Sequence, residues 1–140
     1  MTHLLDTSAV LALYFGEPGA DRVRDLLADP QHSVTLSVLT AAEFSSRLRA
    51  EGAEEAFESD WDRLSDLVSA VLPVSLTVVR RSIALRQAAT ARLPLVDALI
   101  AATAAESGAV LVHRDPHFAS IPKTLLSQEA LPANERGGRS

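Results

Sequence analysis

His3-Leu4-Leu5-Asp6-Thr7-Ser8-Ala9-Val10 begins as an apolar run, stops at a polar cluster, and resumes as helix-forming sequence. Three apolar-to-neutral residues in a row, without alternation, read as a short strand buried on both faces. Ser8 is placed to cap a helix over residues 9–15, which Gly16-Glu17-Pro18-Gly19 then breaks. The clearest strand is Val110-Leu111-Val112-His113, followed by the polar turn Arg114-Asp115-Pro116-His117. Further strands are expected at 34–36 and 72–75, with a last edge strand at 124–126. Helices are expected at 20–28, from a Ser37 or Thr40 cap to about 51, at 53–69, at 77–90, and at 95–107 between Pro94 and Gly108. Short strands alternating with helices predict an α/β fold: a three-layer sandwich with a short, mostly parallel sheet and helices on both faces. Residues 1–131 make one domain, and the polar, Gly-rich 132–140 are expected to be a flexible tail.

In such a sheet ligands bind outside the carboxyl ends of the strands. Asp6 and Asp115 stand at two of those ends. Asp6 closes an otherwise apolar segment, where a carboxylate is costly unless it is paired, hydrogen-bonded or bound to a cation. Its plainer role is to cap the helix that follows. Asp115 has an equally plain role as a turn residue. Asp97 falls in the first turn of its helix, where the macrodipole favours an acid, with Val96, Leu99 and Ile100 placing the core beside it. Glu43 is opposite the apolar side of its helix (Val38, Ala41, Phe44, Leu48) and four residues before Arg47, a spacing that suits an exposed ion pair.

Composition narrows the chemistry. The chain has no cysteine, which excludes disulfides, zinc-thiolate sites and thiol nucleophiles, so any metal must be held by oxygen or imidazole. Asp6 inside the first apolar run and the lack of a basic start are unlike a signal peptide, and no apolar run approaches the ~20 residues of a bilayer span. The expected compartment is the cytoplasm, with no membrane contact. A net charge of −5 argues against a nucleic-acid ligand, but it is unevenly spread: residues 1–70 carry −8 and residues 71–140 carry +3. Arg80, Arg81, Arg86 and Arg92 form a strip able to contact phosphates, or simply a solvated helix surface. Carboxylates can hold hard divalent cations such as Mg²⁺ or Mn²⁺, which bring positive charge into an acidic pocket. A phosphoaspartyl enzyme would need a second Asp two residues after the first, where Ser8 stands.

Four blocks resemble PIN-domain ribonucleases, in family order. They are Leu4-Leu5-Asp6-Thr7-Ser8-Ala9-Val10, Thr40-Ala41-Ala42-Glu43-Phe44, Leu93-Pro94-Leu95-Val96-Asp97-Ala98-Leu99-Ile100-Ala101-Ala102-Thr103-Ala104, and Gly108-Ala109-Val110-Leu111-Val112-His113-Arg114-Asp115-Pro116-His117-Phe118. In its compact size the chain is similar to VapC-type toxins of type II toxin–antitoxin pairs. The resemblance implies a PIN-like sandwich and hydrolysis of RNA phosphodiester bonds. It implies Asp6, Glu43, Asp97 and Asp115 as the catalytic and metal-binding acids, Mg²⁺ (or Mn²⁺) as cofactor, a cognate antitoxin as partner, and a homodimer. Ser8 would orient the Asp6 turn. Other readings are an RNA-processing PIN nuclease outside toxin–antitoxin biology and a catalytically silent PIN-like module binding RNA or protein. Two positions depart from the family pattern: His113 replaces a usual Thr or Ser, and His117 stands where many relatives have a further acid. His113 reads as a core histidine with satisfied nitrogens rather than a donor in the site. His117 implies one tightly bound ion and one weak one. Leu26, Leu27, Phe57 and Trp61 are either core or an apolar groove for a partner helix.

Overall fold

The structure, a computed structural model, describes residues 1–133; the expected tail lies outside the described residues from position 134 onward. The strands are β1 (Thr2–Leu5), β2 (Ser33–Ser37), β3 (Ala70–Leu72), β4 (Val110–His113) and β5 (Gln128–Ala130). The helices are α1 (Thr7–Phe15), α2 (Ala20–Ala28), α3 (Leu39–Ala50), α4 (Phe57–Leu67), α5 (Leu76–Ala88) and α6 (Leu95–Ser107). The sheet order is β3-β2-β1-β4-β5 and all four pairings are parallel.

Alternation along the central strands builds the two cores. Leu4 and Leu111 point to one face, where they meet Val78, Leu85 and Ile100 from the α5–α6 layer and Phe118 from the 3-10 turn after β4. Leu5, Val112, Val34 and Leu36 point to the other, against Val10, Val23, Leu26, Phe44 and Leu48 from α1, α2 and α3. The middle strands therefore lie buried on both sides, as their unbroken apolar runs require. Gly108 ends α6 in the left-handed conformation (φ 69°), which turns the chain directly into β4.

Four local expectations are corrected. Asp6, not Ser8, is the N-cap of α1: its side chain accepts from the Ser8 backbone N–H. The third strand is Ala70–Leu72 rather than 72–75, because Ser75 instead caps α5 by accepting from Val78 N. The helix expected over 53–69 starts as a 3-10 turn at Glu54–Ala56 before α4. The last strand is not 124–126 but Gln128–Ala130. Leu126 is drawn into the core as a loop anchor, 4% exposed, while the polar β5 pairs with β4 because its side chains find partners there. Gln128 Oε1 meets His113 Nε2 at 2.8 Å, and Glu129 binds Arg22 at 2.8 Å.

Leu26 is core, fully buried, so it cannot line a groove. Leu27, Phe57 and Trp61 are only partly buried against the same core, with Phe57 and Trp61 stacked at 6.2 Å.

Candidate active site

Strand order reverses at the centre of the sheet: the chain runs outward from β1 to β2 and β3, then returns to place β4 on the other side of β1. The carboxyl ends of β1 and β4 therefore border the crevice where open α/β sheets bind ligands. Asp6 follows β1 directly and Asp115 follows β4 by two residues.

Asp6 is 3% exposed. Its Oδ2 accepts from Ser8 Oγ at 2.5 Å and from Ser8 N at 3.1 Å, while its Oδ1 is buried without a hydrogen-bond partner. Burial pushes its pKa up to about 7; the Ser8 bonds pull the other way, and the charges of Asp97 and Glu43 add to the rise. Ser8 Oγ also accepts from Arg114 N at 2.9 Å, and Asp6 N donates to Val112 O at 2.9 Å. These two bonds lock the β1 and β4 ends together.

Asp97 comes from the first turn of α6, which Pro94 O starts by accepting from Ala98 N. Burial, then the charges of Asp115 and Glu43, raise its pKa to about 6, against an opposing effect of His117. Asp115 caps the 3-10 turn Pro116–Ser120, accepting from His117 N at 2.9 Å. Glu43 is half-buried and accepts from Thr7 Oγ1 at 2.6 Å, and Thr7 in turn contacts Thr40 at 3.1 Å. The ion pair expected between Glu43 and Arg47 is absent among the described residues: Arg47 pairs with Glu51 at 3.3 Å and lies over the Phe15 ring. Glu43 turns instead toward α1 and the cleft. Asp97 and Asp115 come within reach of one ion, together with His117, while Asp6 and Glu43 are joined to Asp97 through their charges.

The histidines take different parts. His113 is 4% exposed; its Nδ1 accepts from Asp115 N at 3.2 Å and its Nε2 meets Gln128. Both nitrogens are satisfied, as expected of a core histidine, and burial lowers its pKa. The neutral ring so fixed braces the Asp115 turn. His117 is exposed, with Nδ1 3.0 Å from Asp115 Oδ1 and 3.3 Å from Asp97 Oδ2.

Two cavities flank the cluster. One of about 700 Å³ is lined by Leu11, Arg47, Arg114, Asp115, Gln128 and Leu131, among others. One of about 350 Å³ is lined by Thr90, Arg92, Pro116 and His117, among others. Of the expected basic strip, only Arg92 reaches this region. Arg81 is neutralised by Glu106 and Arg86 donates to Leu93 O at 3.0 Å, bracing the loop before α6. Sequence reasoning passed over Arg114, which is 8% exposed, paired with Glu17 at 2.6 Å, and has Nη1 without a partner. Its position inside the fourth block, next to Asp115, was the available signal.

The donor set suits a hard divalent cation. Oxygen ligands predominate, negative charges crowd one another, and a buried carboxylate oxygen lacks a partner. The PIN domain family matches residues 3–124. The chain belongs to that family. As a PIN domain it shares its fold with VapBC2 from Rickettsia felis, solved bound to a promoter DNA fragment, at a TM-score of 0.74 and 21% identity over 94% of this chain and 100% of that one. A toxin–antitoxin complex from Klebsiella pneumoniae is similar at a TM-score of 0.63 and 28% identity, over 86% and 92% of the two chains. VapC20 from Mycobacterium tuberculosis, described as a sarcin–ricin loop cleaving toxin, is similar at 0.65 and 21%, over 84% and 92%. No curated protein matches this chain significantly in sequence. Among the described residues no helix is long and apolar enough to cross a membrane.

Proposed function

We propose that this PIN domain is a divalent-metal-dependent endoribonuclease and the toxin of a toxin–antitoxin pair. Asp6, Glu43, Asp97 and Asp115 are its catalytic, metal-binding acids, with Mg²⁺ or Mn²⁺ as cofactor. The observation that carries this reading is Asp6 Oδ1, a carboxylate oxygen sealed in the fold without a partner beside two further acids. Leaving such a group unanswered is costly, and a cation answers it. A bound divalent ion supplies Lewis acidity to phosphodiester hydrolysis.

The chain's own residues do the positioning. Ser8 holds Asp6 Oδ2 and so leaves Oδ1 as the free oxygen. Thr7 holds Glu43, and His113 holds the Asp115 backbone. Arg47 and Arg114 in the larger cavity and Arg92 in the smaller one flank the acids, where an RNA strand crossing the cleft presents its phosphates. Arg47 and Arg114 are each paired with a glutamate, so the positive charge of the bound ion answers the objection raised by the overall negative charge.

The toxin role draws on the likeness to the Rickettsia and Klebsiella complexes and to VapC20. Its partners are then RNA and an antitoxin that blocks the cleft, and its place of action is the cytoplasm. Leu76 and Ile83 on α5 and Leu95 on α6 are each more than half exposed, apolar surface that supports the homodimer in the proposal.

The test is RNA incubated with the purified chain in Mg²⁺, Mn²⁺ or chelator, followed by sequencing of RNA ends after brief induced expression in cells. Metal-dependent cleavage at defined sites is expected, with suppression when the product of an adjacent small gene is co-expressed. RNA bound in chelator but never cut in metal would establish the silent binding module instead. Cleavage without any growth defect would leave the nuclease and remove the toxin.

A further inference from the structure

Among the described residues, Asp97, Asp115 and His117 each offer a ligand atom within 4.8 Å of the other two. His117 Nδ1 lies 3.0 Å from Asp115 Oδ1 and 3.3 Å from Asp97 Oδ2. Neighbouring ligands ~2.1 Å from an octahedral ion stand about 3 Å apart, so these spacings are those of adjacent positions on one coordination shell. A protonated ring paired with two carboxylates would give similar distances. It would leave unanswered a separate observation: Asp6, from a different element, keeps Oδ1 buried and unpartnered in the same acidic cluster. A cation held by Asp97, Asp115 and His117 answers both: it accounts for the spacings and offsets the negative charge that Asp97 imposes on the sealed Asp6.

We propose that His117 is a nitrogen ligand of the metal, making this site selective for first-row transition ions such as Mn²⁺ over Mg²⁺. The inference rests on the metal-nuclease reading above. Its chemical basis is the contrast between Mg²⁺, which takes oxygen ligands and keeps its waters, and transition ions, which accept imidazole. His117 rides on the 3-10 turn that Asp115 caps, so the strand end that presents the carboxylate presents the imidazole as well. The ring is 47% exposed and carries no core packing to lose on substitution.

The experiment is Mn²⁺ titration of the full-length chain followed by electron paramagnetic resonance, with pulsed detection of nitrogen-14 coupling to the bound ion. Mg²⁺ affinity is measured in parallel by competition. The wild-type chain is expected to bind Mn²⁺ with a nitrogen coupling. His117→Ala should keep its melting temperature in chelator, lose that coupling and bind Mn²⁺ at least about 10-fold more weakly, the lower end of what even an outer-shell loss costs. His117→Asp should narrow the preference for Mn²⁺ over Mg²⁺ by restoring an all-oxygen set. Bound Mn²⁺ without nitrogen coupling, or coupling that persists in His117→Ala, would overturn the role of His117 and leave the metal site standing. A folded wild-type chain that binds no Mn²⁺ would overturn both.

Discussion

The corner after β1 and the corner after β4 use the same local device. In each, an Asp at the strand end accepts a backbone N–H from two residues on, Asp6 from Ser8 at 3.1 Å and Asp115 from His117 at 2.9 Å, and each Asp caps the helical turn that follows. Their surroundings differ. Asp6 is sealed under α1 with a pKa pushed up to about 7, whereas the Asp115 side chain is 25% exposed at the rim beside an imidazole. The turn aims the carboxylate; burial and neighbouring charge decide whether it is ionised.

The sharpest way to break this comparison is to neutralise each acid in turn. Asp6→Asn and Asp97→Asn keep shape and remove charge, and each is expected to lower RNA cleavage by roughly 10²–10³-fold or more, the scale of losing one preorganised electrostatic contact. Circular dichroism and melting should show folded variants. Near wild-type rates at matched metal would sink the proposed mechanism. Asp115→Asn, at the exposed corner, is expected to cost less than Asp6→Asn.

Next in size is a pH effect confined to the buried corner. The folded pKa of Asp6, about 7, lies above its unfolded value of 3.8, so between these values the native state holds more protons than the unfolded chain. In chelator, stability should therefore fall as pH rises through that window, by up to a few kcal/mol at about 1.4 kcal/mol per unit. Above about 7 the loss is complete. Asp97, raised from 3.8 to about 6, adds a smaller loss that ends at lower pH. Denaturant titrations of wild type and Asp6→Asn at pH 5 and pH 8 check this; parallel slopes for the two proteins would contradict it.

Metal reverses the same penalty. At 100 times Kd an ion binding only the native state adds about 2.7 kcal/mol, which at roughly 2–4 °C per kcal/mol raises the melting temperature by about 5–10 °C. Asp97→Asn should shrink that rise, and a melting curve indifferent to chelator and saturating Mn²⁺ would count against a clustered site.

The smallest effect joins the two corners. Ser8 Oγ donates to Asp6 and accepts from Arg114 N, so Ser8→Ala strands a backbone N–H and should cost about 1–3 kcal/mol by equilibrium unfolding. A change within error would mean that the bridge is dispensable.

How much of this was legible in the chain follows from where each signal resides. β1, β4 and α6 were readable because continuous apolar runs bounded by Asp, Pro and Gly carry their own punctuation. Asp6, Asp97 and Asp115 stood out at strand ends and a helix start. Glu43 did not. Helical periodicity assigned it to solvent and to Arg47, and only the Thr7 hydroxyl, 36 residues earlier, turns it toward the cleft. β5 was misplaced because Gln128 and Glu129 look like loop residues until His113 and Arg22 are brought to them. The Ser8–Arg114 bridge spans 106 residues and has no local signature at all.

The strand order also sets a timetable. β1 is made first yet sits in the middle of the sheet, and its second neighbour, β4, ends only at His113. Until that stretch has left the ribosome, Leu4 lacks the α6 and Leu111 surface it packs on, and Asp6 lacks Asp97. A nascent chain thus carries half a cluster, Asp6 and Glu43, until Asp97 and then Asp115 have emerged. Whatever chemistry the complete cluster performs waits on the strand made fourth, not on the strand at its centre.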